Sequence, residues 1–323
     1  MKRRTFLLSM GAAAVSPTTI VRAEEAWPAR PVTIVVPFGA GGSADFVARI
    51  CAQGLQVKYG QSFIIENRGG AGGIIGTAVV AKSPNDGYTL LIGTASTLAI
   101  NPSIYAHLPY DWEKAFAPIS PLVSFPNLLV ANPKLPVSNV AEFIAYLKQH
   151  DGKLNYGSSG NGTSSHLCAL MLMRAVGVSM THVPFHGFPE EMTALVGGEL
   201  DFVFDSITTE WPFAKSGQVR PLAVSSAKRT TIAPEIPAIG ESIAGFDASA
   251  WQAICAPAGT PDLLLLSLAQ DVRQIFTSPD VVALLRNVGG EPLPMQPDEF
   301  ARFIVRERAK WAEVVNASGV RID

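Results

Sequence analysis

Apolar residues along this chain fall into short β-branched runs, each followed by a turn of glycine, serine and threonine and then by a stretch with helical spacing. The first run, Val32–Val36 (VTIVV), leads through FGAGGSAD into a helix expected over about residues 43–56. A strand at Ile64-Ile65, a glycine loop over 67–73 and a helix over 74–82 come next, the helix stopped by Pro84 and Asp86-Gly87. A strand over 89–92 opens into GTASTLAINP. After Pro121 the order restarts with a strand over 128–133, a helix in VSNVAEFIAYLKQH capped by Ser138, and a strand, glycine turn and helix in NYGSSGNGTSSHLCALMLMRAVG. THVPFHGFPEEMTALVGG and ELDFVFDSITTEWPFAKSG add two more such units. Thr260-Pro261 and Ser278-Pro279 each read as an N-cap followed by proline at the first helical position, and residues 298–316 carry Phe300, Phe303, Ile304, Trp311, Val314 and Val315 at helical spacing. The alternation predicts an α/β protein with mostly parallel strands.

The first 23 residues are of another kind. Lys2, Arg3 and Arg4, an apolar stretch over 6–15 and the small-residue exit Val21-Arg22-Ala23 read as a secretory signal peptide, so they are set apart from the fold. The Arg3-Arg4 pair followed by Thr-Phe-Leu fits the twin-arginine export route as well as the general one. No later stretch has the roughly 20 unbroken apolar residues of a membrane span. The mature chain is therefore expected to be soluble in the periplasm, and at 323 residues in all it is large enough for two domains. Loss of the leader removes four basic residues and no acidic ones, so the formal charge falls from −2 to −6. An acidic balance argues against nucleic acid or an anionic membrane as partner. Cys51, Cys168 and Cys255 lie far apart in apolar contexts without metal-ligand spacing; they read as buried thiols, with a Cys51–Cys255 bridge as the alternative.

The glycine turns carry the candidate chemistry. A strand that ends in glycines and opens a helix presents free backbone N–H groups at the positive end of the helix dipole, which makes an anion site. The dinucleotide fingerprint needs a third glycine where this chain has Asp45, whose charge would repel a pyrophosphate, and no Walker lysine is present. The second turn, YGSSGNGTSSH, offers neutral donors from Ser159, Asn161, Thr163 and Ser164, suited to holding and releasing a carboxylate. It lacks the G-x-S-x-G elbow of a serine hydrolase, and His166, a helical turn past Thr163, is read as packing or capping. Asp205, after the apolar strand FVF, is either the cap of a helix over 208–216 or an acceptor in a cleft. His182 and His186 are read as solvated loop residues, and no metal is expected. Of Trp112, Trp211 and Trp251, Trp211 is the one expected to face a ligand.

VPFGAGGSADFVAR, ENRGGAGGIIGTAVVAKSPNDGYTLLIGT, YGSSGNGTSSHL, HVPFHG, GELDFVFD, VRPLAVSSAKR and AICAPAGTP follow one another over essentially the whole mature chain. In this order they resemble the Bug family, the periplasmic substrate-binding proteins of tripartite tricarboxylate transporters. The resemblance implies a type II periplasmic binding protein with two α/β domains joined by two crossing strands and a ligand cleft between them. It places domain 1 at 24–124 plus 250–323 and domain 2 at 125–249. Carried onto this chain, the family's carboxylate-binding turn corresponds to Phe38, Gly39, Ala40, Gly41, Gly42, Ser43 and Asp45, with Thr94, Ala95 and Ser96 behind them. Domain 2 would supply Ser159, Asn161, Thr163, Ser164, Phe185, Gly187 and Asp205 for the far end of the ligand, with Asp45 capping or ordering water. Where the family commonly has tyrosine and then a basic residue, this chain has Phe185-His186, which removes a hydroxyl and a fixed cation. The implied function is capture of a small carboxylate (a di- or tricarboxylate, an acidic amino acid or an aromatic acid) by domain closure, as a monomer without cofactor and without catalysis. The implied partners are transporter membrane subunits or a sensor receptor; signalling without transport and, further off, a secreted hydrolase are the alternatives.

Overall fold

The computed structural model describes residues 27–322, so the expected leader lies outside the described residues. Its strands are β1 (Val32–Val36), β2 (Phe63–Asn67), β3 (Thr89–Thr94), β4 (Phe116–Phe125), β5 (Asn127–Ala131), β6 (Asn155–Ser158), β7 (Thr181–Pro184), β8 (Phe202–Ser206), β9 (Arg220–Val224), β10 (Ala250–Pro257) and β11 (Glu291–Pro292). The α-helices are α1 (Ser43–Tyr59), α2 (Ile74–Ala81), α3 (Asn101–Ile104), α4 (Val140–Gln149), α5 (Ser164–Val176), α6 (Phe188–Gly197), α7 (Ile207–Lys215), α8 (Asp262–Phe276), α9 (Pro279–Arg286) and α10 (Pro297–Ser318). The strands form two sheets, ordered β11-β4-β10-β3-β1-β2 and β7-β6-β8-β5-β9.

The apolar runs become strands because both of their faces are covered. Val32, Ile34 and Val36 of β1 and Leu90 and Ile92 of β3 pack with Val47, Cys51 and Leu55 of α1 on one side of the first sheet. Val35 and Leu91 point to the other side, into a core that continues to Trp251 and Trp311. A strand buried on both faces reads as a continuous hydrophobic run, which is the pattern of VTIVV. Helix α1 extends to Tyr59 because its stop is Gly60, in the left-handed region at φ 70°, with its N–H bonded to Gln56 O.

The sheets are mixed, which corrects the mostly parallel expectation. β1 pairs in parallel with β2 and β3, and β6 with β7 and β8. β10 is antiparallel to β3 and β4, β11 to β4, and β5 to β8 and β9. The cause is connectivity: β5 and β10 enter their sheets from the other sheet and run against the βαβ strands they join. The chain passes from β4 to β5 through Pro126 and returns at Ala250. Asn127 ties the two passages together, its N–H donating to Ser225 Oγ at 2.8 Å and its Nδ2 to Ala248 O at 3.2 Å.

Three local expectations shift by a residue or two. Helix α4 is capped by Asn139, whose side chain accepts from Glu142 N at 2.9 Å, while Ser138 N donates back to the Glu142 carboxylate. Helix α8 begins at Asp262 after Pro261, and Thr260 Oγ1 instead donates to Pro257 O. The cap position of α7 is Ser206 and not Asp205. The three cysteines are free and buried, and burial pushes each thiol up to about 12.

Candidate functional site

Four helix N-termini meet at one cavity between the two sheets. Its wall includes Gly42, Thr163, Gly187 and Ser206, the cap residues of α1, α5, α6 and α7. First-turn N–H groups have no acceptor in their own helix, and at α1, α6 and α7 no side chain caps them. The cavity is thus lined with backbone donors at the positive ends of helices. Glycine suits the first turn because Gly41 stands at φ 82°, in the left-handed region. The cavity volume is about 70 Å³, several times the ~10–15 Å³ that one water requires, which suits a small solute.

The structure brings most of the expected residues to this wall. Phe38, Gly39, Gly42 and Ser43 come from the first turn, Thr94, Ala95 and Ser96 from the end of β3, and Ser159, Thr163, Ser164, Gly187 and Asp205 from the second sheet. Asn161 and Phe185 line an adjoining cavity of about 170 Å³ that shares Phe38 and Ser159 with the first. His186 lies there too, so the Phe185-His186 substitution borders the main cavity and does not face it. Ala40, Gly41 and Asp45 line neither. Asp45 turns back on its own helix start, where Oδ2 accepts from Gly41 N at 3.2 Å and from Arg49 Nε at 3.0 Å. Burial alone would raise its carboxyl, but hydrogen bonds from Arg49, Gly41 and Asn67 together hold it below its ordinary range. Its work is to close the glycine turn with the carboxylate facing away from the cavity.

Asn127, Ser206, Trp251 and Gln252 also line the wall and were not expected there. Gln252 Nε2 donates to Ser43 Oγ at 3.0 Å, so a residue of β10 orients the start of α1 across 209 positions of sequence. A lone glutamine inside the apolar strand AWQAICAP is the signal that could have found it. Trp251 and not Trp211 is on the cavity wall, with its indole N–H turned to Glu307 of α10; Trp211 packs beside the α6–α7 core, and Trp112 lies under the Arg308 guanidinium at 4.5 Å.

Behind the second glycine turn His166 and His182 stack with ring centroids 4.0 Å apart. His182 belongs to β7, packed against Tyr156 and 2.6 Å from Ser158 Oγ, which corrects its reading as a solvated loop residue. His166 packs and accepts from Gly162 N through Nδ1 at 3.3 Å. Burial and the His182 ring push His166 down to about 3, and burial pushes His182 down to about 4. Both rings therefore fold neutral. As pH falls below 6.5 the unfolded chain takes up these protons first, so stability drops by about 1.4 kcal/mol per pH unit per ring, down to pH about 4 for His182 and about 3 for His166. Histidine NMR shifts should report both rings neutral at pH 5; a ring charged at that pH would contradict the buried stack.

Residues 47–320 match the profile of the Tripartite tricarboxylate transporter family receptor. The chain belongs to this receptor family. Protein BugT of Bordetella pertussis is 33% identical over 92% of this chain and 92% of its own length. A solved structure of R. palustris Rpa4515 with adipate superposes with a TM-score of 0.89 at 37% identity, covering 91% of this chain and 99% of that one. The periplasmic binding protein BugD superposes with a TM-score of 0.87 at 34% identity, again over 91% and 99%.

In this receptor the two halves of the cleft are in contact. Tyr105 Oη donates to Asn161 O at 3.2 Å and Ser164 N to Ser96 Oγ at 3.2 Å, each bond joining the two sheets' halves. Gly72 packs so close to the second half that a Cβ there would stand 2.1 Å from Asn161 O. Gly187 faces the first turn, its would-be Cβ 3.9 Å from Gly39 N.

Proposed function

We propose that this receptor works in the periplasm, where it encloses a small carboxylate between two lobes, 24–124 plus 250–323 and 125–249, and presents it to the membrane subunits of a tripartite tricarboxylate transporter. The observation that carries the reading is the convergence of four helix N-termini on one small cavity whose wall includes no lysine, arginine or histidine. Such a wall recognises an anion through oriented N–H groups, which bind without the tight grip of a buried ion pair. The relative holding adipate supports the same chemistry. Acid meets the preformed turn of the first lobe, and the second lobe then closes on it, so that contacts to both halves stabilise the closed state. Phe38, Gly39, Gly42, Ser43 and Ser96 would hold the near carboxylate, and Ser159, Thr163, Gly187 and Asp205 would read the far end.

Thermal unfolding of the mature protein against C4 to C6 dicarboxylates, citrate, acidic amino acids and aromatic acids tests this. A true ligand at 100 times its Kd adds about 2.7 kcal/mol of stability, a rise of several degrees. A flat response from protein demonstrated to be folded and ligand-free would overturn the carboxylate reading.

A further inference from the structure

The far side of the cavity holds buried polar groups that lack partners. Asp205 is the only ionisable residue on the wall; its Oδ1 accepts from Ser206 N, and its Oδ2 has no partner. Ser206 and Gln252, 3% and 4% exposed on the same wall, leave Ser206 Oγ and Gln252 Oε1 unpartnered. Behind Asp205 lie Glu191, in the first turn of α6, and Glu210, in the first turn of α7. Both are 0% exposed, and none of their four carboxyl oxygens has a hydrogen-bond partner. Glu191 is wedged against β6, its Cγ 3.1 Å from where a Cβ on Gly157 would stand. The elements around this cluster bring no cation to it. Helix α5 adds only the neutral Cys168 thiol, Asp45 of α1 faces away, His166 and His182 lie neutral behind the second glycine turn, and His186 lines the adjoining cavity. Buried charges are normally paired, and three carboxylates in one dry pocket cannot all stay ionised.

We propose that the receptor captures a proton together with its solute: Asp205 takes the proton on Oδ2 and donates it to the far oxygen of the bound acid, with Glu191 and Glu210 neutral behind it. This rests on the carboxylate reading of the helix N-termini and adds the group that meets the other end. The proton comes from solvent, the only bond made is O–H, and one negative charge remains where two carboxylates would have faced each other. That single proton turns a like-charge contact into a short, charge-assisted O–H···O bond. Burial pushes the carboxyls of Glu191 and Glu210 well above their ordinary range, and the Asp205 charge adds to it, so both keep their own protons. Burial raises Asp205 as well, and neighbouring donors, Ser206 N among them, draw it part of the way back. Asp205 is thus the member of the cluster that reaches the cavity and exchanges a proton with it. The complex holds one proton more than its separated parts, so affinity rises as pH falls, by at most tenfold per pH unit. A methyl group in place of the far oxygen would leave Oδ2 dry and unpaired, which selects against acids that lack it.

Calorimetric titration of the mature protein with succinate, glutarate and adipate at pH 7, 8 and 9, where these acids are doubly ionised, tests the proposal. At least one of them should bind with uptake of up to one proton, read from the dependence of the heat on buffer ionisation enthalpy. Its affinity should fall by up to tenfold per pH unit on going from pH 7 to pH 9. Butyrate, valerate and hexanoate match these acids in length without the far oxygen, and should bind more weakly and without uptake. Asp205→Asn keeps an acceptor for Ser206 N and sets a permanent amide donor in the place of Oδ2. Its uptake should vanish and its affinity should be the same at pH 7 and pH 9, with folding checked by circular dichroism. On the unmutated protein, binding of an isotope-labelled diacid should raise a carboxylic-acid band in the infrared difference spectrum that does not move with the label, so the test stands even if the variant fails to fold. Diacids binding with no uptake and with flat affinity, equal uptake with the monoacids, or undiminished uptake in Asp205→Asn would overturn the proton proposal and leave the carboxylate reading intact. Failure of every acid to bind would overturn both.

Discussion

Replacing Gly72 by valine should weaken ligand capture by on the order of 100-fold, about 2.7 kcal/mol, while the chain still folds. The Cβ would stand 2.1 Å from the carbonyl oxygen of Asn161, a backbone atom of the opposite half. Neither partner can turn aside, so relief comes by holding the cleft open. Gly72 also sits at φ 59°, where a side chain adds roughly 1–2 kcal/mol of local strain. Gly152→Val separates the two effects, because Gly152 has φ 73° but nothing within 4 Å of its would-be Cβ. Both variants should lower the unfolding temperature of the empty protein comparably, and only Gly72→Val should lose the stabilisation by ligand. Equal ligand response in the two would mean that closure does not pass through this contact.

Replacing Glu307 by alanine should cost about 3 kcal/mol of stability. Glu307 lies in α10, 9% exposed, and its Oε2 accepts from Trp251 Nε1 at 2.8 Å and Trp311 Nε1 at 3.1 Å, with Lys310 Nζ 2.9 Å from Oε1. Truncation strands two indole N–H groups in a core where Trp251 and Trp311 are 2% and 0% exposed. At roughly 2–4 °C per kcal/mol for a chain of this order of size, the unfolding temperature should fall by about 6–12 °C. Because Trp251 also lines the cavity, ligand affinity should fall with it. Glu307→Gln keeps an acceptor for the indoles and should lose less than half as much. A shift of only a degree or two for Glu307→Ala would show that the carboxylate is not what holds α10 against the cleft wall.

Much of the cleft was legible because its parts are local. A strand running into FGAGGSAD or YGSSGNGTSS dictates a turn with free N–H groups whatever surrounds it, and both turns reach the cavity wall. Asp45, read as capping the turn or ordering water, accepts from Gly41 N and does not line the cavity. Sequence puts it on the turn, but its hydrogen bonds to Gly41 N and Arg49 decide which way it faces. His182 looked like a loop residue because THVP is short and ends in proline; its pairing with Asn155–Ser158 makes it a strand residue with Tyr156 and His166 stacked on its ring.

The sequence by itself determined the run of strand, turn and helix, the glycine turns and the family to which the chain belongs, because each is written in residues close together. Tertiary structure alone decided the antiparallel insertion of β5 and β10, the arrival of Asn127, Trp251 and Gln252 on the wall, and the burial of Glu191 and Glu210 behind Asp205. The reason is range. Turn and helix signals act over a few residues, whereas a cavity wall is assembled from strands and helices far apart in the chain, such as Ser43 and Gln252, and no local pattern records which polar group will lose its water there.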